Sequence, residues 1–237
     1  MRYFKNVFFM LAVAMALPVV TACNDDDDRV DYTKYYDWRD ENMALLEFVN
    51  DLQNKDSAQT YFNQEIRSMK EPLWSSFYHV VHAANLDSLA SLTPRKDYRP
   101  FSTSTLKVHY TLFDTHSVMK KMVALGNGGY SADVFHNLGG AMDSIFFANA
   151  EGTTLKADTL ESSQVAYLEN FTPNSVITGW GDILQQMYIG DHVVAFIPWF
   201  LAYGQAGSLP NIDPYSNLFF RIELCDITNW GGTDGNR

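Results

Sequence analysis

The hydrophobic period of the chain changes near Trp74. Before that point Leu45, Phe48, Val49 and Leu52 recur at helical spacing, and Asp37-Trp38-Arg39-Asp40 reads as a helix start with Asp37 as N-cap. This helix is expected to run to about Gln53. Tyr61, Phe62, Ile66 and Met69 extend the pattern over Ser57–Met69 and predict a second helical piece, ended by Pro72, whose ring cannot continue a helix. Beyond Trp74 the period falls to two. Ser76-Phe77-Tyr78-His79-Val80-Val81-His82 alternates and is rich in β-formers; Leu106–Thr111, Val165–Leu168, Val193–Pro198 and Leu218–Ile227 also predict strands. Thr178–Tyr188 returns to a helical pattern in which Ile183, Leu184 and Met187 share a face, and Gly190 stands where a left-handed terminator belongs. One short helix among several strands predicts an α+β fold, an antiparallel sheet on a single helix, with an N-terminal helical appendage over residues 35–71.

The first residues carry a different message. Arg2 and Lys5 precede the apolar run Val7–Val20, which is short for a membrane-spanning helix and has the form of an export signal. It ends in Val20-Thr21-Ala22-Cys23, which resembles the bacterial lipobox. The resemblance implies a lipoprotein signal peptide over residues 1–22, removed to leave a lipid such as palmitate on Cys23. It also implies anchoring at the cell envelope, at the outer membrane or on the cell surface. The run Asn24-Asp25-Asp26-Asp27-Asp28 makes residues 23–34 a solvated tether, because adjacent like charges resist burial. Such a run directly after the cysteine also resembles the surface-export signal of Bacteroidetes lipoproteins. With Cys23 lipidated, Cys225 is left as the one thiol and an internal disulfide is excluded.

Losing Arg2 and Lys5 with the signal leaves 15 basic residues against 28 acidic, a formal charge of −13. Nucleic acid and anionic lipid are therefore excluded as electrostatic partners. With 46% hydrophobic and 14% aromatic residues the chain can still bury a full core. It is expected to be a monomer.

Three segments carry a family resemblance. Val176-Ile177-Thr178-Gly179-Trp180 leads into Leu184-Gln185-Gln186-Met187 and Gly190. Ile197-Pro198-Trp199-Phe200-Leu201-Ala202-Tyr203-Gly204 is followed by Gly207, Ile212 and Pro214, and ends in Leu218-Phe219-Phe220-Arg221-Ile222-Glu223-Leu224. Val108-His109-Tyr110-Thr111 is the third. In order and spacing these resemble the FKBP-type peptidyl-prolyl cis-trans isomerases, which implies an FKBP-like domain over residues 74–228. The middle departs from the family pattern. About two dozen extra residues, near 116–137, follow the third segment. Gly139-Gly140-Ala141-Met142-Asp143 then resembles the family's G-x-x-F-D motif, with Met142 for phenylalanine. Phe113-Asp114 is a rival match that leaves no room for the usual hairpin.

Rotation about an X-Pro bond is opposed by a barrier of roughly 20 kcal/mol and needs no proton transfer, only a dry bowl that holds the twisted amide. The resemblance implies that Trp180 floors this bowl and that Tyr110, Phe220, Ile212, Val176 and Met142 wall it. It further implies that the Ile177 backbone N–H and the Tyr203 hydroxyl bind substrate carbonyls, that Asp143 shapes the polar edge, and that Tyr167, or Phe171 close by, lines the pocket. It implies no cofactor and no metal, proline-containing segments of exported proteins as partners, and a macrolide as competitor. Rings on strands around a helix are also ordinary core residues, and a proline-binding module without turnover is the alternative function. A surface lipoprotein whose working part is the insertion is a third. As the insertion would replace the hairpin tip beside Tyr110, it is expected near the bowl. His79 and His82 sit on opposite faces of a strand and make a poor metal pair; His116 and His136 bracket the insertion.

Overall fold

The computed structural model describes residues 31–81, 98–147, 156–162 and 169–229. The lipobox with Cys23, the acidic run, His82, and the expected strand Val165–Leu168 with Tyr167 lie outside the described residues.

The helix expected before Gln53 is α1, Tyr36–Asp56. The chain enters it from a 3-10 turn, Tyr32–Tyr35, whose cap is Asp31; the Asp31 carboxylate accepts from Thr33 N at 2.9 Å. Asp37 is therefore not the N-cap. It lies in the first turn of α1, where its charge still faces the positive helix end. The second helical piece does not form either. Residues 57–63 are a turn that buries Tyr61 and Phe62, and Gln64–Arg67 is strand β1, paired with β2, Ser75–Val80. The apolar stripe there reflects a wedge of two rings followed by an edge strand, and Pro72 lies in the connecting turn.

β3 (Thr105–Phe113), β6 (His192–Ile197) and β7 (Leu218–Asn229) form the middle of the sheet; β4 (Thr159–Ser162) and β5 (Glu169–Phe171) both pair with β3. Every pairing is antiparallel, in the order β1-β2-β6-β7-β3-β4. Helix α5, Thr178–Leu184, packs on one face. Alternation sends Leu106, Val108, Tyr110 and Leu112 of β3, and Leu218, Phe220, Ile222 and Leu224 of β7, toward α5. The intervening Phe113 and Phe219, with Val194 and Phe196 of β6, enter a second core on the opposite face.

The expected α+β fold, an antiparallel sheet with one short helix packed on a face, is thus present, and the second core adds a layer on the opposite face. It is roofed by α1 together with α2 (Thr115–Leu125), α3 (Ala132–Phe135) and α4 (Ala141–Phe146). The expected N-terminal helix packs into this core as one of its layers. The insertion is also longer than the expected 116–137. It leaves the sheet at Asp114, whose side chain caps α2 by accepting from His116 N at 3.2 Å, and closes where Asp114 N donates to Asp158 O at 2.8 Å. Gly190 takes φ 89° in the turn before β6.

If α1 and the sheet share one core, denaturant unfolding will be a single transition. Leu45→Ala is expected to lower its free energy by about 3 kcal/mol, since Leu45 is fully buried between helix and sheet. A separate early transition for α1 would contradict this.

Candidate active site

On the α5 face, four rings meet. The Trp180 ring lies 5.4 Å from Tyr110 and 4.9 Å from Phe171, both edge-on, and 5.6 Å from Phe220 at an interplanar angle of 27°. Phe171 meets Tyr110 edge-on at 5.8 Å. Edge-to-face pairs at these spacings are mutually attractive and fix ring orientation. The Trp180 ring is held by such packing, for its indole Nε1 is buried without a hydrogen-bond partner.

The glycines beside Trp180 explain how α5 comes so close. A Cβ on Gly179 would stand 2.5 Å from Ile197 Cγ2 and 2.6 Å from Ser76 Oγ, and one on Gly181 only 2.1 Å from Pro173 O. Any larger residue would lift the helix and Trp180 with it. Ile177 is the N-cap residue of α5, so its own N–H lies outside the helical ladder. Val176, Ile177 and Ile212 are buried in the same cluster, and Tyr203 packs against it half-buried.

The polar edge comes from a residue that the motif reading passed over. Glu161 pairs directly opposite Leu112 in the β3–β4 ladder and therefore points to the α5 face. Its Oε1 accepts from the Tyr110 hydroxyl at 2.6 Å. Burial, and secondarily the Glu161 charge, push the Tyr203 hydroxyl up to about 12, so Tyr203 remains a neutral donor throughout the physiological range.

Met142 and Asp143 do not belong to this site. Met142 is fully buried in the second core on the opposite face of the sheet, because Ala141–Phe146 forms helix α4 instead of a hairpin strand. Asp143 accepts from the Tyr61 hydroxyl and from Asn137 Nδ2, each at 3.0 Å. The rival Phe113-Asp114 is no better: Phe113 faces the second core and Asp114 caps α2. The described helices of the insertion, α2 to α4, pack in the second core away from Trp180, so the position expected for residues 116–137 beside the bowl is also corrected. His116 stacks on Trp38 at 3.8 Å and bonds Asp213 at 3.0 Å. Among the described residues no group of three His, Cys, Asp or Glu could hold a metal ion.

Within α5, Asp182 is buried and its Oδ2 lacks a hydrogen-bond partner. Burial raises its pKa, opposed by hydrogen bonds from Ser68 and the Met69 backbone and by the charge of Lys70.

Residues 146–225 match the family model described as FKBP-type peptidyl-prolyl cis-trans isomerase. The match begins at the end of α4, so it holds Glu161, Trp180, Tyr203 and Phe220 but not Tyr110, which the insertion separates from them. The chain is 49% identical over 61 residues to the macrophage infectivity potentiator of Trypanosoma cruzi, covering 26% of this chain and 31% of that protein. It is 41% identical over 71 residues to the FKBP-type 22 kDa peptidyl-prolyl cis-trans isomerase of Escherichia coli K12, covering 29% and 34%. The chain thus spans about a third of the length of these curated relatives. The crystal structure of FkpA from Escherichia coli superposes with a TM-score of 0.46 at 20% identity, covering 83% of this chain and 64% of that one.

The Asp182 carboxyl gives a pH prediction. Its folded pKa lies above its unfolded one, so its contribution favours the fold at low pH and is lost as pH rises above the ordinary carboxyl range. Asp182→Asn removes that loss. Thermal melts should show the variant more stable than wild type at pH 7. The gain should vanish as the pH falls well below the ordinary aspartate pKa, where the carboxyl is protonated in both states. A gain of equal size at both pH values would show that charge is not its source.

Proposed function

We propose that this protein is a peptidyl-prolyl cis-trans isomerase that assists the folding of exported proteins. The observation that carries the reading is the ring cage of Tyr110, Phe171, Trp180 and Phe220, with Tyr110 tied to Glu161 and flanked by the neutral Tyr203 donor.

A proline ring seated on Trp180 would leave water, and its imide would lose the hydration that stabilises the planar form. As the amide twists, its carbonyl rotates while the nitrogen gains lone-pair character. Donors fixed beforehand, the Ile177 N–H and the Tyr203 hydroxyl, stabilise the rotated carbonyl better than the planar one. No group has to change protonation, so turnover is expected to be flat across neutral pH. Glu161 holds the Tyr110 ring by its hydroxyl rather than accepting a proton from substrate.

The export signal and Val20-Thr21-Ala22-Cys23 support a protein lipidated on Cys23 and held at the cell envelope, acting there as a monomer. Cys23→Ser is expected in the soluble fraction after cell lysis; continued membrane association would remove the lipid from the account.

The purified protein should accelerate cis-trans exchange in a peptide with an apolar residue before proline, and a macrolide of the FKBP-binding type should compete. Tyr203→Phe should lower kcat/KM by roughly fivefold, the worth of one neutral hydrogen bond. Trp180→Ala should abolish measurable turnover and, as the loss of a buried ring, destabilise the fold by about 3 kcal/mol. Exchange no faster than buffer, with calorimetric binding of proline peptides retained, would make the protein a binding module instead.

A further inference from the structure

The loop that carries Tyr203 and Ile212 runs from the end of β6 to the start of β7. Three cross-links hold its two arms together. Trp199 N donates to Asn217 Oδ1 at 3.0 Å, Tyr215 N to Gly204 O at 3.1 Å, and Ser208 and Ile212 exchange backbone bonds at 2.8 and 3.0 Å. The first of these sits at the root, and Asn217 serves both arms there.

Asn217 is also fastened from outside the loop. Its N–H donates to Asn42 Oδ1 and its Nδ2 to Asn42 O, each at 2.8 Å, while its carbonyl accepts from Thr115 Oγ1 at 2.6 Å. Asn42 is fully buried on α1 and braced by its own bond to Trp38 O at 2.9 Å. Beside it, Trp38 Nε1 donates to Ser216 Oγ at 2.9 Å. Two residues upstream of Asn217, Tyr215 is held at φ 63°, a left-handed backbone that a bulky side chain adopts only under constraint. With Trp38, Asn42, Thr115, Ser216 and Asn217 all buried, the node has one low-energy arrangement, because a displacement strands donors away from water.

We propose that Asn42 and Asn217 are positioning residues for the isomerase site. Helix α1, on the far face of the sheet, sets the pose of the loop that brings Tyr203 and Ile212 over Trp180. This rests on the isomerase reading for its kinetic consequence, though not for its structural one. Fixing the loop in advance spares the substrate the cost of ordering it, so loosening the node weakens binding of ground state and twisted form alike.

The test uses the full-length chain carrying Asn42→Ala, with Leu46→Ala of the same helix as comparator. Three quantities are measured: kcat and KM for a proline peptide, peptide affinity by calorimetry, and amide hydrogen exchange. Asn42→Ala is expected to raise KM and Kd by about five- to tenfold while kcat stays within about twofold. Exchange should quicken across residues 199–216 while β6 and β7 keep their protection. Leu46→Ala, which removes only apolar contact, should lower the melting temperature and leave KM and loop protection as in wild type. Equal shifts in KM from both substitutions, or unchanged loop protection in Asn42→Ala, overturn the proposal. Should Asn42→Ala fail to fold, Ser216→Ala, which removes only the Trp38 partner, must shift KM and loop exchange in the same direction or the proposal falls. If the wild-type chain neither turns over nor binds proline peptide, the isomerase reading fails, and the exchange pattern alone still decides whether α1 holds the loop.

Discussion

A sheet whose central strands are apolar on both sides must be covered on both sides. Every residue of β6 from His192 to Ile197 is buried, and Leu218, Phe219 and Phe220 of β7 are buried in succession. The single helix α5 can cover only the side on which Val193, Ala195 and Ile197 lie. Leaving Val194, Phe196, Phe113 and Phe219 in water would forfeit roughly 1.5 to 3 kcal/mol for each buried side chain. The N-terminal helix and the insertion are the cover this constraint demands, which is why they form one continuous core with the sheet.

The same constraint explains how a long insertion can sit at a hairpin tip without disturbing the site. Its base is closed by the Asp114–Asp158 backbone bond, so β4 resumes pairing with β3 at Phe113. A bulge at Leu112/Phe113 absorbs the irregularity, after which Leu112 pairs with Glu161 and Thr111 with Ser162. In a ladder of period two, a one-residue slip would turn Glu161 to the far face and leave the Tyr110 hydroxyl without it. The helices of the insertion help set this register because they are anchored in the second core.

The parts of this architecture that local pattern encodes were legible in the sequence: α1, the strands near β2, β3, β6 and β7, the helix with Trp180, and the order of the segments around it. What escaped depends on pairing across distance. Glu161 lies beyond the insertion and carries no G-x-x-F-D motif, whereas Gly139-Gly140-Ala141-Met142-Asp143 resembles that motif and the chain uses its Asp143 on the opposite face to bind Tyr61 and Asn137. The pattern predicts a helix at β1 because two buried rings and an edge strand happen to repeat at three and four. The second core did have a signal: Val193-Val194-Ala195-Phe196-Ile197 is an unbroken apolar run, the mark of a strand buried on two faces rather than one. Asn42 had one too, as an amide on the apolar stripe of α1.

A buried amide pair is an expensive way to attach a helix if attachment is all that is needed. Apolar contact through Leu45, Leu46 and Val49 already supplies the adhesion, but such contact tolerates sliding, since one aliphatic surface packs on another in several registers. The Asn42–Asn217 node does not tolerate it. Moving α1 by one turn, about 5.4 Å, would leave the Asn217 N–H, its Nδ2 and the Trp38 indole without partners in a dry interior. The apolar residues therefore decide that the helix binds, and the amides decide where. Since Asn217 also closes the root of the loop bearing Tyr203, the register of α1 and the pose of that loop are fixed by one set of hydrogen bonds.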